Sequence, residues 1–345
     1  GGNQSSGQLG LNDEVDRSSP VQIPGTDYAR LPNGHYGYGV GVMKSNKTLW
    51  GWGRGDHGIL GPNIPTPAQR SSPVQISTST WANFSVGKEL VIATKSDGTM
   101  WGWGENYYGN LGLNENNHPA QKSSPCQIPG TTWPTGLDQF AASSERTMAI
   151  KTNASLWTWG RNYSGDLGNN ENDNAYSSPI QIGTDTTWAK VAQGGEGGAI
   201  KTNGTLWCWG YNSSGQAGVN DRTHRSSPTQ VGTDTTWRSF FQKDQVSLAT
   251  KTNGTLWSWG YAHYGCLGHN EGGNTPLKSS PTQIGAGTDW SATLAVKGTW
   301  WAALKTNGTM WICGANYQGV VGDNSRTNRS SPVQIPGTWV DIWAA

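Results

Sequence analysis

Charge is scarce in this chain. Acidic and basic side chains make up 14% of its 345 residues, and the formal net charge is +1. Globular domains carry about 25% charged residues. A near-neutral chain sets up no long-range field to draw it onto a phosphate backbone, so bulk binding to nucleic acid is not expected. Cysteine is also sparse. Cys126, Cys208, Cys266 and Cys313 stand singly and far apart, which excludes a dense disulfide framework but does not specify a redox compartment. No apolar run approaches the roughly 20 residues of a membrane-crossing helix, so insertion by such a helix is not expected. No initiator Met precedes Gly1, and the chain reads as an excerpt of a longer polypeptide.

Catalytic patterns are missing as well. Gly194 to Gly198 has neither the Lys-Ser/Thr pair nor the helix of a phosphate-binding loop. There is no His-Glu-x-x-His, and no repeat carries its own Ser, His and Asp set. His263, Cys266 and His269 form a His-x-x-Cys-x-x-His run without an evident fourth ligand. It reads as ordinary loop rather than a metal centre. The carboxylates look scattered. We expect no enzyme activity and no cofactor.

What the chain has in excess is Gly, at 49 copies, and Trp, at 20. Both come from an internal repeat. A tryptophan-glycine signature recurs at 49–53, 100–104, 156–160, 206–210, 256–260 and 310–314, the last with Cys313 in place of its second Trp. A Ser-Ser-Pro signature ends at Pro20, Pro73, Pro125, Pro179, Pro228, Pro281 and Pro332. The spacing, roughly 50 residues, lies in the range of β-propeller blades.

One repeat can be read from Thr187 to Val231. Thr187 to Ala192 is a short strand, and the following glycines make a turn. Ala199–Thr202 and Thr205–Trp209 flank Asn203-Gly204, which suits a type I′ hairpin with both turn residues at positive φ. A loop through Gly215 and Gly218 leads to an outer strand opened by Pro228, since proline belongs on an edge. Each repeat is therefore one four-stranded antiparallel sheet. The loop glycines and the asparagine two residues beyond them (Asn12, Asn63, Asn114, Asn170, Asn220, Asn270, Asn324) recur in register. We read the glycines as positions of unusual backbone and the asparagines as side chains bonded within their own turns.

These Trp-x-Trp-Gly, Gly-x-x-Leu-Gly and Ser-Ser-Pro elements resemble the repeats of the regulator of chromosome condensation family, over essentially the whole chain. The near-uniform copies look most like bacterial or phage relatives. The resemblance implies a seven-bladed propeller, and seven Ser-Ser-Pro signatures match that number. Only six tryptophan hairpins are present. The expectation is thus an all-β, seven-bladed β-propeller forming one domain over residues 1–345. Its closing blade would be shared between the two termini and would lack its middle hairpin, supplied by the rest of the polypeptide or by a neighbouring chain.

The blade topology puts the hairpin turns on one face and the glycine loops on the other. The loop face carries Tyr107, Tyr108, Tyr163, Tyr211, Tyr261, Tyr264 and Tyr317 among Asn, Ser and Gly, a composition suited to recognition. Arg17, Arg70, Lys122, Arg225, Lys278 and Arg329 rim it. The hairpin face carries Lys44, Lys95, Lys151, Lys201, Lys251 and Lys305 in register, either a grip for an anionic partner or a solvated position copied with the repeat. The motif tryptophans read as blade packing. A binding or structural module for a protein or glycan partner, on a virion, cell surface or in an extracellular assembly, is the leading expectation. The family's best known activity, nucleotide exchange on a small GTPase, is the second, although no exchange wedge or basic tail is visible. Inhibition of an enzyme by a secreted propeller is the third.

Overall fold

The computed structural model describes residues 7–15, 17, 21–32, 39–61, 69–115, 121–143, 145–192, 197–261, 263–271, 277–317 and 319–342. They form six four-stranded antiparallel sheets, spanning residues 28–77, 83–128, 140–181, 188–230, 237–283 and 290–335. We call these blades one to six. Within each blade the strands pair in simple chain order, from an inner first strand to an outer fourth. Blade four, for example, runs Trp188–Val191, Gly198–Lys201, Leu206–Gly210 and Arg225–Gln230, within two residues of the strands expected from sequence.

Among the described residues the expected seventh blade does not form, and the blades number six. A sheet requires paired strands, and a blade assembled from one terminal strand at each end has no hairpin to pair with. At the C-terminus Trp339 donates its backbone N–H to Gly308 O at 2.8 Å, but residues 336–342 join no sheet. Near the N-terminus residues 7–13 are turns and bends. The Ser-Ser-Pro copy at Ser18 to Pro20 and the first residues of the chain lie outside the described residues. Blade number follows the six tryptophan hairpins, because the hairpin supplies both central strands and most of the core.

The hairpin turn also differs from expectation. Gly204 has φ +78°, whereas Asn203 is not at positive φ. Gly204 N–H donates to Lys201 O at 2.9 Å, and Lys201 N–H to Thr205 O at 3.0 Å. This is a type I turn closed by one left-handed residue, the longer of the common hairpin connections. Only that last position needs left-handed backbone, and Lys47 (φ 64°) and Ala154 (φ 62°) occupy it in blades one and three.

The tryptophans build the core between blades. Trp209 is fully buried, and its indole N–H donates to Asp166 O in the loop of blade three at 3.0 Å. The bond repeats as Trp103 to Ile59 O, Trp159 to Asn110 O and Trp259 to Gln216 O. Each links a blade to the preceding one. Burying one such ring contributes about 4–6 kcal/mol of gross hydrophobic stabilisation. Blade six lacks this tryptophan. There Cys313 pairs across the strands with Trp301, which is itself fully buried and lies against Gly268 of the preceding loop. The indole that Cys313 removed is thus replaced from the adjacent strand.

Candidate functional site

The described parts of the glycine loops are fastened to the next blade. A Cβ on Gly215 (φ +74°) would stand 2.7 Å from the Cα of Ser279, the first serine of the next Ser-Ser-Pro. Asn220, at φ 64°, donates its N–H to Ser279 O at 2.8 Å and accepts from the Ser280 hydroxyl at 3.0 Å. Asn170 repeats this with Ser226 and Ser227, and Asn270 with Ser330 and Ser331. The repeated asparagines therefore bridge blades; they are not bonded within their own turns. Asn63 lies outside the described residues.

On this fixed scaffold six of the seven predicted tyrosines are exposed, from 36% for Tyr261 to 65% for Tyr163, and Tyr108 is partly covered. They fall into three groups. Tyr107 meets Tyr108 edge-on at 4.7 Å, and the Arg161 guanidinium lies 5.1 Å from the Tyr108 ring and 5.0 Å from the Tyr163 ring. Arg161 is anchored by an ion pair with Glu145, and the hydrogen bond it donates to that carboxylate raises the guanidinium pKa further. Tyr261, His263, Tyr264 and Tyr317 form a second chain of rings, with successive centroids 5.1, 4.2 and 6.2 Å apart. Tyr211 stands apart and stacks on His224 at 4.8 Å. Sequence reasoning missed Arg161, His224 and His263 as partners of the rings. For Arg161 a signal was available, since it directly follows the tryptophan motif where Tyr211 and Tyr261 stand in later blades.

The basic rim is largely neutralised. Arg17 pairs with Asp13 at 2.7 Å, Lys122 with Glu115 at 2.7 Å and Lys278 with Glu271 at 3.2 Å, while Arg225 and Arg329 pair with Asp221 and Asp323. Arg70 donates to the carbonyl of Gln69 at 2.9 Å. The rim is a set of loop clasps. The His-x-x-Cys-x-x-His run is pulled apart: His263 sits among tyrosines, His269 meets the Ser258 hydroxyl at 3.0 Å, and Cys266 is buried. Burial pushes the Cys266 thiol up to about 12 and lowers the His269 imidazole. Among the described residues no three His, Cys, Asp or Glu side chains cluster as a metal site.

On the hairpin face the six lysines share one setting. Each ammonium lies over two aromatic rings, as with Lys201 at 4.8 Å from Trp188 and 3.9 Å from Trp207, or Lys251 at 4.6 Å from Trp237 and 3.7 Å from Trp257. Tyr28 takes the place of the first tryptophan for Lys44, at 5.7 Å. The second tryptophan of each pair is held by a short relay. In blade four the Asn203 carboxamide accepts from Thr205 N–H and hydroxyl, at 3.1 and 2.8 Å, and the Trp207 indole N–H donates to that hydroxyl at 2.9 Å. The relay recurs in all six hairpins, with Asp97 replacing asparagine in blade two and Ser155 replacing threonine in blade three.

Four of these cages are closed by a carboxylate. Lys44 pairs with Asp27 at 3.1 Å, Lys251 with Asp234 at 2.7 Å and Lys305 with Asp289 at 3.1 Å, while Lys201 pairs with Asp185 at 2.5 Å. These aspartates stand three or one residue before the first aromatic ring of the cage. Carboxylates that looked scattered in sequence are therefore partly in register.

Comparison with known proteins gives the repeat its identity. The regulator of chromosome condensation (RCC1) repeat matches residues 97–150 and 153–199, and a second description of the same repeat matches 199–216. The regulator of chromosome condensation of Xenopus laevis is 28% identical over 123 residues, covering 35% of this chain and 28% of that protein. The chain spans 36% or less of the length of the first three curated relatives it matches. Human WBSCR16 has a similar structure, with a TM-score of 0.82 at 20% identity over 99% of this chain and 96% of that one. Prp20p of Saccharomyces cerevisiae, described with its binding to Gsp1p and histones, gives 0.78 at 19% identity over 98% and 85%. At those identities the likeness is one of fold. The chain is a β-propeller whose residues 97–150 and 153–216 match the regulator of chromosome condensation (RCC1) repeat.

Proposed function

We propose that this propeller is a non-enzymatic recognition module that engages a protein partner through its loop face. The observation that carries the reading is the set of exposed tyrosines held on glycine loops that are bonded to the neighbouring blade. Tyrosine supplies large contact area with only two side-chain torsions to immobilise, so ordering it on binding costs little. Arg161 between Tyr108 and Tyr163 adds a donor to one patch, and Arg and Tyr are both among the residue types enriched at binding hot spots. The protein ligands named for Prp20p support a protein over a glycan. Nucleotide exchange on a small GTPase would be one form of such recognition, and it is a property to be assayed separately.

The test is site-specific photocrosslinking in the native source. A benzoylphenylalanine in place of Tyr163 or Tyr317 is expected to capture the same protein, and the probe in place of Lys47, on the hairpin face, is expected not to. Capture from Lys47 alone would sink the proposal. Tyr163→Ser combined with Tyr317→Ser should then weaken the isolated interaction by about tenfold or more, with an unchanged melting temperature.

A further inference from the structure

Blade two breaks the cage rule. Lys95 lies 5.4 Å from the Trp81 ring and 4.2 Å from the Trp101 ring, in the same setting as its five counterparts. Among the described residues its ammonium makes no ion pair and no hydrogen bond. The segment before Trp81 explains why. Where blade four has Asp185 ahead of Trp188, this segment reads Ser77-Thr78-Ser79-Thr80 and contains no acid. Ser77 keeps the local turn, accepting the Ser79 N–H at 3.1 Å as Asp185 accepts that of Thr187 at 2.9 Å. A serine hydroxyl supplies the turn but no charge. Asp97 is the nearest acid in sequence, and its carboxylate accepts from the Thr99 hydroxyl and N–H at 2.7 and 2.9 Å; these bonds lower its carboxyl pKa, helped by the Lys95 charge, but it forms no ion pair with Lys95.

The space left over is a pocket of about 360 Å³ whose lining includes Lys95, Trp81 and Trp101 together with Ser77, Thr78 and Ser79. Lys151 in blade three also lacks an aspartate, but there backbone comes close: a Cβ on Gly130 would stand 3.7 Å from its Nζ. Blade two combines an ammonium that makes no ion pair among the described residues, two indoles and a row of hydroxyl-bearing residues around an opening. The three N–H donors of an ammonium, partly screened from water by aromatic rings, favour an anion that can accept at least two hydrogen bonds.

We infer that this pocket binds a carboxylate from outside the chain, in the position that an aspartate of the chain itself fills in blades one, four, five and six. The site is separate from the loop face and does not depend on the function proposed for that face. The carboxylate has two sources, an acidic side chain of a peptide or a small free acid.

The test titrates the isotope-labelled 345-residue chain by NMR with a capped Gly-Asp-Gly peptide, its Gly-Asn-Gly analogue and succinate, following the Lys95 side chain and the Trp101 indole N–H. The aspartyl peptide is expected to shift both signals saturably and to bind at least about tenfold more tightly than the asparaginyl one. Succinate as tight as the aspartyl peptide assigns free acids; succinate about tenfold weaker assigns a peptide; both support the site. Thr78→Asp, three residues before Trp81 as Asp185 is before Trp188, closes the cage from within and keeps the lysine; it should weaken binding by about tenfold or more, as should Lys95→Met. If Lys95→Met fails to fold, Thr78→Asp carries the test alone. Equal binding of the two peptides, no saturable shift with any probe, or unchanged affinity in Thr78→Asp would overturn the inference.

Discussion

At the scale of single residues, the hairpin relay and the cages turn repeated letters into particular bonds. The asparagine before each turn glycine matters for its side chain, which orders the threonine that in turn holds an indole. Removing it exposes two donors together. Asn203→Ala is expected to cost about 1–2 kcal/mol, and a lowered urea midpoint with unchanged slope would establish it. The cage aspartates make a pH prediction. Burial alone would raise the Asp185 carboxyl, but hydrogen bonds from Lys201 and Thr187 outweigh it and hold the group below its usual 3.8. A depressed acid contributes stability that is present above 3.8 and is lost as pH falls through the lower folded value. Asp185→Asn should therefore reduce stability at neutral pH and flatten its fall below about pH 4. Glu105 behaves oppositely, raised by burial and by the neighbouring Glu89. Glu105→Gln should stabilise the protein at neutral pH and lose that gain as acid protonates the native carboxyl, as melting curves at pH 7 and pH 4 would reveal.

At the scale of elements, the unit of construction is a hairpin plus a loop that grips the next blade. The left-handed glycines of the loops allow contacts that no side chain would admit. Gly215→Ala combines strained backbone with a Cβ 2.7 Å from Ser279 Cα. We expect a loss of about 2–4 kcal/mol, read by chemical denaturation, against about 1–2 kcal/mol for alanine at Gly183, where the backbone is left-handed but the Cβ position is open. Blade six offers the sharper test. Trp301 fills the space vacated by the motif tryptophan at Cys313, so Trp301→Ala should cost about 3–5 kcal/mol although Trp301 lies outside the repeated motif. Sequence periodicity identified the hairpins, the outer strands and the loops, because each is a local matter of turn residues and alternating burial. It could not assign the asparagines at Asn170, Asn220 and Asn270 to bonds between blades, since their partners lie roughly 60 residues away along the chain.

At the scale of the whole molecule, repetition explains both the architecture and its departures. Counting Ser-Ser-Pro signatures gave seven blades, while pairing gave six, because an outer-strand signature forms a blade only where a hairpin stands beside it. Strand alternation separates a loop face from a hairpin face in the sequence, yet their chemistry was only half visible. The tyrosines were legible as residues; their exposure, and the Arg161 and histidine rings between them, required the fold. The lysines were legible as a series, but whether each is neutralised depends on an aspartate brought in from the end of the preceding repeat. Sequence by itself determined the repeat, the antiparallel four-stranded unit and the family resemblance, since these rest on short-range turn chemistry and the periodic placement of tryptophan. Tertiary structure alone decided the number of blades among the described residues, the blade-to-blade bonds and the lack of an ion pair at Lys95. Each of those depends on which distant segment packs alongside, and that is a property of contact in space.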